Sequence, residues 1–245
     1  MIFYRRPVAL NREQHRGLKL DTATSDFRFA ASTNSILLAA SEAAEAAKDY
    51  PVVFIGGPDG PFTLVALVGL RENENLFVDE GGNWVSGTYL PAFVRRYPFV
   101  LAEAAAGETE MTVCIDEACE RLGEEHGAPL FDETGAVAPL LEGTTAFLQL
   151  FHAEMQQTSL LAQRLADAGL LVAKRIEIVR DGASHALEGI YVVDRDKLAA
   201  LDDTMALELF RSGALWAVHA HLMSLNHAER LAIRLDARLS VQAAE

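Results

Sequence analysis

Apolar residues recur at helical spacing from Glu142 to Ala168, where Phe147, Phe151, Met155, Thr158, Ala162 and Leu165 fall on one face ahead of Gly169 at a C′ position. The pattern predicts one long amphipathic helix. Elsewhere the period shortens to that of strands. Val52-Val53-Phe54-Ile55 is a continuous apolar run, Gly56 to Pro61 is a turn cluster and Phe62 to Leu70 returns, so these runs read as a hairpin. Phe99 to Glu103 and Glu110 to Ile115 read as a second hairpin, turning around Gly107. Leu171 to Arg180 and Leu187 to Val193 flank Asp181-Gly182, a strong turn pair, and make a third. Asp26 to Ala30 alternates as a half-buried strand does, with Phe27 and Phe29 on one face. Residues 1 to 20 read as an edge strand followed by a solvated loop.

Helix signals complete the pattern. Ala40 to Lys48 has high helix propensity, with Ser35 or Ser41 as the expected cap. Asp202 is the expected N-cap of a helix over Asp203 to Arg211 that Gly213 ends. From Ala214 to the C-terminus there is neither Gly nor Pro; Leu215, Val218, Leu222 and Leu225 mark an apolar face, and the last five residues are expected to fray. Strands that are mostly sequential neighbours favour antiparallel pairing. The expected class is therefore α+β, with a mainly antiparallel sheet in the N-terminal half and long amphipathic helices plus a β-hairpin (171–194) in the C-terminal half. The glycine-, proline- and acid-rich segment 121–139 places the boundary between a β-rich part, 1–125, and a helical part, 139–245, packed as one compact unit.

The stretch Asn75 to Phe99 concentrates the unusual residues. Leu76-Phe77-Val78 reads as a short strand, Glu80 to Asn83 as a tight turn, and Trp84 as a cover for one face. Tyr89-Leu90-Pro91 then opens a helix of about two turns that Pro98 stops. Phe93 and Tyr97, four apart, share its inward face and leave Arg95 and Arg96 to point elsewhere. Two readings stand side by side. Either the element caps a sheet and its arginines pair with nearby acids, or the two guanidinium groups present a fork to a carboxylate or phosphate.

Composition narrows the partners. A net charge of −14 disfavours nucleic acid and anionic membrane surfaces, which need clustered cations. No apolar run reaches the ~20 residues of a membrane helix, and the start lacks the apolar core of a signal peptide. The expected compartment is the cytoplasm. Cys114 and Cys119 are the two cysteines, and reduced, buried thiols are expected.

The motifs that would force a chemistry are missing. His152-Ala153-Glu154 lies in a helical pattern, which turns the two side chains about 200° apart, and it has no P-C-x-x-C partner. His219-Ala220-His221 diverges in the same way, so one histidine is expected in the core and one in solvent. GGPDGP lacks the lysine of a phosphate-binding loop, and no G-x-S-x-G elbow occurs. The acids Asp116, Glu117, Glu120, Glu124 and Glu125 read as the solvated face of a short helix. Neither catalytic residues, nor a metal site, nor a cofactor is expected.

Several segments together resemble the bacterial SapC family, soluble proteins of about this length named after a protein of a surface-layer locus. They are LNREQHRGLKL (10–20), KDYPVVF (48–54), ENLFVDEGGNW (74–84) with YLPAFVRRYPF (89–99), VCIDE (113–117), GIYVVDRDKLAAL (189–201), ELFRSGAL (208–215) and AHLMSL (220–225). The resemblance implies association with surface-layer or outer-membrane loci and carries over no catalytic residue. The expected function is that of a non-catalytic binding or accessory protein. It would contact a protein partner or a small acidic ligand through Trp84, Tyr89, Arg95 and Arg96, since aromatics beside arginines compose binding hot spots. The alternatives are an enzyme or enzyme partner subunit, with a pocket between the sheet and helix 142–168, and a structural surface component.

Overall fold

A computed structural model describes residues 2–57, 60–103, 111–180 and 183–242. In chain order the strands are β1 (Pro7–Ala9), β2 (Lys19–Leu20), β3 (Ser35–Leu37), β4 (Val52–Gly57), β5 (Gly60–Leu67), β6 (Phe99–Glu103), β7 (Met111–Asp116), β8 (Leu122–Gly123), β9 (Ala128–Pro129), β10 (Leu171–Arg180) and β11 (Ala183–Val193). The helices are α1 (Ala43–Ala46), α2 (Ala92–Arg95), α3 (Pro139–Asp167), α4 (Arg195–Ala199), α5 (Asp203–Arg211), α6 (Ala214–Ser224) and α7 (Ala228–Gln242).

The class is α+β, and the ladders among the described residues are antiparallel. A five-stranded sheet runs β10-β11-β4-β5-β3, a three-stranded sheet runs β1-β7-β6, and β8-β2-β9 form a small third one. The three expected hairpins pair as read, although the turns at Gly107 and at Asp181-Gly182 lie outside the described residues, as do Pro58 and Asp59. Ile190 and Tyr191 of β11 pair with Ile55 and Phe54 of β4, so one sheet draws strands from both sides of the 121–139 segment.

Helix α3 ties the sheets together. Its early residues Leu141 and Leu148 join a core with Leu20, Phe99, Ile115, Leu130 and Phe131. Its later residues Phe151, Ala162 and Leu165 enter the main core with Val52, Phe54, Leu64 and Val65. The helix ends as expected, with Ala168 as cap and Gly169 left-handed at φ 65°. Asp202 caps α5 by accepting the N–H groups of Thr204 and Met205. His219 and His221 divide as expected, the first exposed and the second fully buried.

Several expectations are corrected. Residues 26–30 form no strand: Arg28–Ala30 is a single 3-10 turn, because Asp26 turns its carboxylate onto the Arg28 N–H at 2.9 Å and closes the chain locally. Leu76-Phe77-Val78 is buried without a strand, apart from one antiparallel bridge between Val78 and Trp84. The Val78 carbonyl goes to a side chain instead, for Arg238 of α7 donates to Val78 O and to the neighbouring Asn75 O, each at 2.8 Å, while Phe77 O accepts the Val85 N–H at 2.9 Å. No serine caps the helix after Ala39; Glu42 reaches back and accepts the Ala39 N–H at 3.1 Å. The acidic run 116–125 forms no helix, and Asp116 closes β7 in full burial. The expected C-terminal helix is broken by a 3-10 turn at Leu225–His227, and Val241 and Gln242 remain helical where fraying was expected, residues 243–245 lying outside the described ones.

Candidate functional site

The turn and the aromatics of segment 75–99 lead into α2, which is a single turn, Ala92–Arg95, where a helix of about two turns was expected. Gly82 sits at φ 80°, and a Cβ there would lie 2.7 Å from Asp26 Oδ1, so the turn requires glycine. Trp84 is half-buried: its indole N–H donates to Tyr50 Oη at 3.1 Å, its ring meets Phe27 edge-on at 5.8 Å and stacks on Phe77 at 6.3 Å. The Tyr50 hydroxyl in turn donates to the Tyr89 carbonyl. Three aromatic residues thereby fix the path of the chain into α2.

Glu42 governs the start of that helix. Its Oε1 accepts the Ala92 N–H at 2.7 Å and the Tyr89 hydroxyl at 2.8 Å, while Oε2 takes Ala39. A carboxylate at a helix N-terminus satisfies otherwise unpaired N–H groups. Burial, and the negative carboxylate of Glu42 as acceptor, push the Tyr89 phenol up to about 12. Tyr89 is therefore a neutral donor at physiological pH. Glu42 stands 47 residues from Tyr89 in sequence, and only its place inside an alanine-rich helix segment was visible.

The two arginines part company. Arg95 is exposed; its Nε donates to Leu90 O at 3.1 Å, and its guanidinium carbon stands 5.3 Å from the Phe147 ring centre. Among the described residues no carboxylate pairs with it. Arg96 turns inward instead, which corrects the expectation of an outward pair. Its guanidinium lies 4.0 Å from the centre of the Phe93 ring, 5.5 Å from Phe151 and 5.8 Å from Tyr4. Desolvation disfavours its charge and shifts its pKa down, with Tyr4 opposing the shift. α2 is a single turn, so residues 95 and 96 stand about 100° apart around it, and one side chain can face solvent while the next meets the aromatic cluster.

Around Arg96 the rings make a continuous chain. Phe147 neighbours Phe151, Phe151 neighbours Phe93, Phe93 neighbours Phe3, Phe3 neighbours Phe29, and Phe29 stacks on Tyr97 at 3.9 Å. The chain ends on Asp116. Tyr97 donates to its carboxylate at 3.1 Å, beside the N–H groups of Arg5, Arg6 and Ala118. Burial alone would raise this carboxyl, but those donors outweigh it and the pKa is lowered.

The space between the sheet and α3, where a pocket would favour an enzyme, is filled by Phe151, Ala162 and Leu165. Among the described residues no three His, Cys, Asp or Glu side chains gather as metal ligands, and no helix is long and apolar enough to cross a membrane. Cys114 and Cys119 are free thiols. The arrangement offers one fixed, exposed cation on an aromatic ledge, and it can bind an anion.

A family model described as SapC matches residues 10–231. No curated protein and no solved structure matches the chain.

Proposed function

The chain belongs to the SapC family, and from that premise we propose that it is a non-catalytic binding or accessory protein of a surface-layer or outer-membrane associated locus, working in the cytoplasm. The proposed contact surface is Arg95 with Tyr89, flanked by Trp84 and Phe147, and the proposed target is an acidic group on a protein partner or a small acidic ligand.

One observation carries this reading: the exposed Arg95 guanidinium is positioned by Leu90 O and the Phe147 ring and lacks an acidic partner among the described residues, in a chain of net charge −14. A held guanidinium loses less freedom when it binds a carboxylate, and stacking leaves its N–H edge open. Arg96 contributes by holding Phe93 and Phe151 under the ledge.

The test is affinity capture from the native cells with the wild-type chain, Arg95→Ala and Arg95→Glu, all checked for unchanged thermal unfolding. Partners retained by the wild type and lost, in that order of severity, from the two variants would support the reading. An identical set of partners at identical yield with Arg95→Glu would overturn it.

A further inference from the structure

We infer that a second binding site, for a small amphipathic anion of the alkyl carboxylate class, lies between α4, α5 and α6. The cavity there has a volume of about 650 Å³. That is the size of pockets that take small organic ligands, roughly 300 to 1,000 Å³.

Its walls separate by chemistry. Leu198 and Leu201, Ala206 of α5, and Leu215, Leu222 and Met223 of α6 supply an apolar lining. Arg195, at the start of α4, and His219, on the adjacent face of α6, supply nitrogen groups. Among the described residues no Asp or Glu lines the cavity, although acidic residues outnumber basic ones by 35 to 21 over the chain. Neither the Arg195 side chain nor His219 has a hydrogen bond or ion pair within the described residues. An apolar trough with a free guanidinium at its edge matches a ligand with a hydrocarbon body and an anionic head. Met223, 73% exposed, is a flexible thioether at the rim that can follow chains of different length.

Two other cavities lack this separation. The one between α3 and α6, about 280 Å³, carries Glu154 and Arg164, the latter paired with Glu208. The one beside Tyr97, about 270 Å³, sets Arg5, Arg28 and Arg121 against Asp26 and Glu120.

Isothermal titration of the full chain with octanoate, decanoate and dodecanoate, each below its micellar concentration, tests the inference, with 1-decanol as the uncharged comparison. Saturable binding is expected, strengthening about fourfold per added methylene until the chain outgrows the cavity. Arg195→Gln is expected to weaken decanoate about tenfold and leave 1-decanol unchanged, an ionic hydrogen bond being lost in one case only. Met223→Glu, at an exposed position, is expected to weaken decanoate and to leave thermal unfolding unchanged. Arg95→Ala, on the α2 ledge, is expected to bind decanoate as the wild type does, so this result stands apart from the fate of the partner-binding reading. Absence of saturable binding by all three carboxylates would overturn the inference, as would equal effects of Arg195→Gln on decanoate and 1-decanol.

Discussion

Nδ1 of His221 lies 2.6 Å from the carbonyl oxygen of Val52, inside the interface between α6 and the five-stranded sheet. On the other side of the same ring, Nε2 lies 3.0 Å from the Val193 N–H. An N–H can only donate, so Nε2 is the bare nitrogen and Nδ1 carries the proton to Val52. Ser224, one turn on, accepts the Val52 N–H at 2.8 Å. One residue pair on α6 thus satisfies main-chain groups of β4 and β11 where those strands meet.

This geometry works only with a neutral ring, and burial lowers the His221 pKa below its ordinary 6.5. The unfolded chain therefore binds a proton in a pH range where the folded chain does not. The associated stability is complete above about pH 6.5 and is lost as pH falls through the lowered native value. Urea unfolding of the wild type between pH 7.5 and 5 is expected to show this loss, and His221→Gln to show less of it. At pH 7.5 His221→Ala, which strands a buried donor and acceptor, is expected to cost on the order of 3 kcal/mol. A His221→Ala variant as stable as the wild type would contradict the tautomer and its role.

Arg95 and Arg96 are expected to separate in experiment as they do in space. Arg96→Ala removes a guanidinium stacked 4.0 Å from Phe93 and within reach of Phe151 and Tyr4, and is expected to cost about 1 to 3 kcal/mol of stability. Arg95→Ala changes an exposed group and is expected to cost less than about 0.5 kcal/mol. Chemical denaturation of the two variants side by side measures the difference. Equal losses would mean that both side chains serve the same packing role.

Those arginines also mark where the sequence stops being legible. The helical period of α3 and the apolar runs of the hairpins are local patterns, and the structure follows them with ends shifted by up to four residues. The division of His219 from His221 is likewise a matter of helical phase. Much of what fails is decided by a distant group: Val78 gives its carbonyl to Arg238, 160 residues away. Arg96 meets Tyr4 and Phe151, from opposite ends of the chain's first two thirds. Spacing also cannot distinguish a solvated acid from a buried one. Asp116 lies in an acidic run, yet it is fully buried because Arg5 and Arg6 bring their backbone N–H groups to it.

Asp116 gives the acid-side prediction. Its carboxyl pKa is lowered, since the donors from Arg5, Arg6, Ala118 and Tyr97 outweigh the cost of burial. A lowered carboxylate contributes stability that is present above its unfolded value, about 3.9, and is lost as pH falls through the native value. Asp116→Asn keeps the shape but puts an amide donor among donors, and is expected to cost about 1 to 3 kcal/mol at pH 7. The gap between variant and wild type should close as pH falls below 4. A gap that stayed constant down to acid unfolding would show that the charge of Asp116 does not matter.

Glu42 links the stability of the cap to the proposed contact surface. One oxygen accepts the Ala92 N–H and the Tyr89 hydroxyl, the other the Ala39 N–H, so Glu42→Gln must point its new NH₂ group at a donor whichever way the amide turns. The expected cost is about 1 to 3 kcal/mol. Tyr89→Phe removes only one donor from the same carboxylate and is expected to cost less. Burial is the leading reason that the Tyr89 phenol is pushed up to about 12, and the Glu42 charge adds to it. Glu42→Gln is accordingly expected to lower the pH at which tyrosinate absorbance appears, by part of that shift and not all of it. Because Glu42 fixes the start of α2, and α2 carries Arg95, the variant should also weaken partner capture without touching the partner. Unchanged stability together with an unchanged tyrosine titration would show that the carboxylate does not organise this end of the helix.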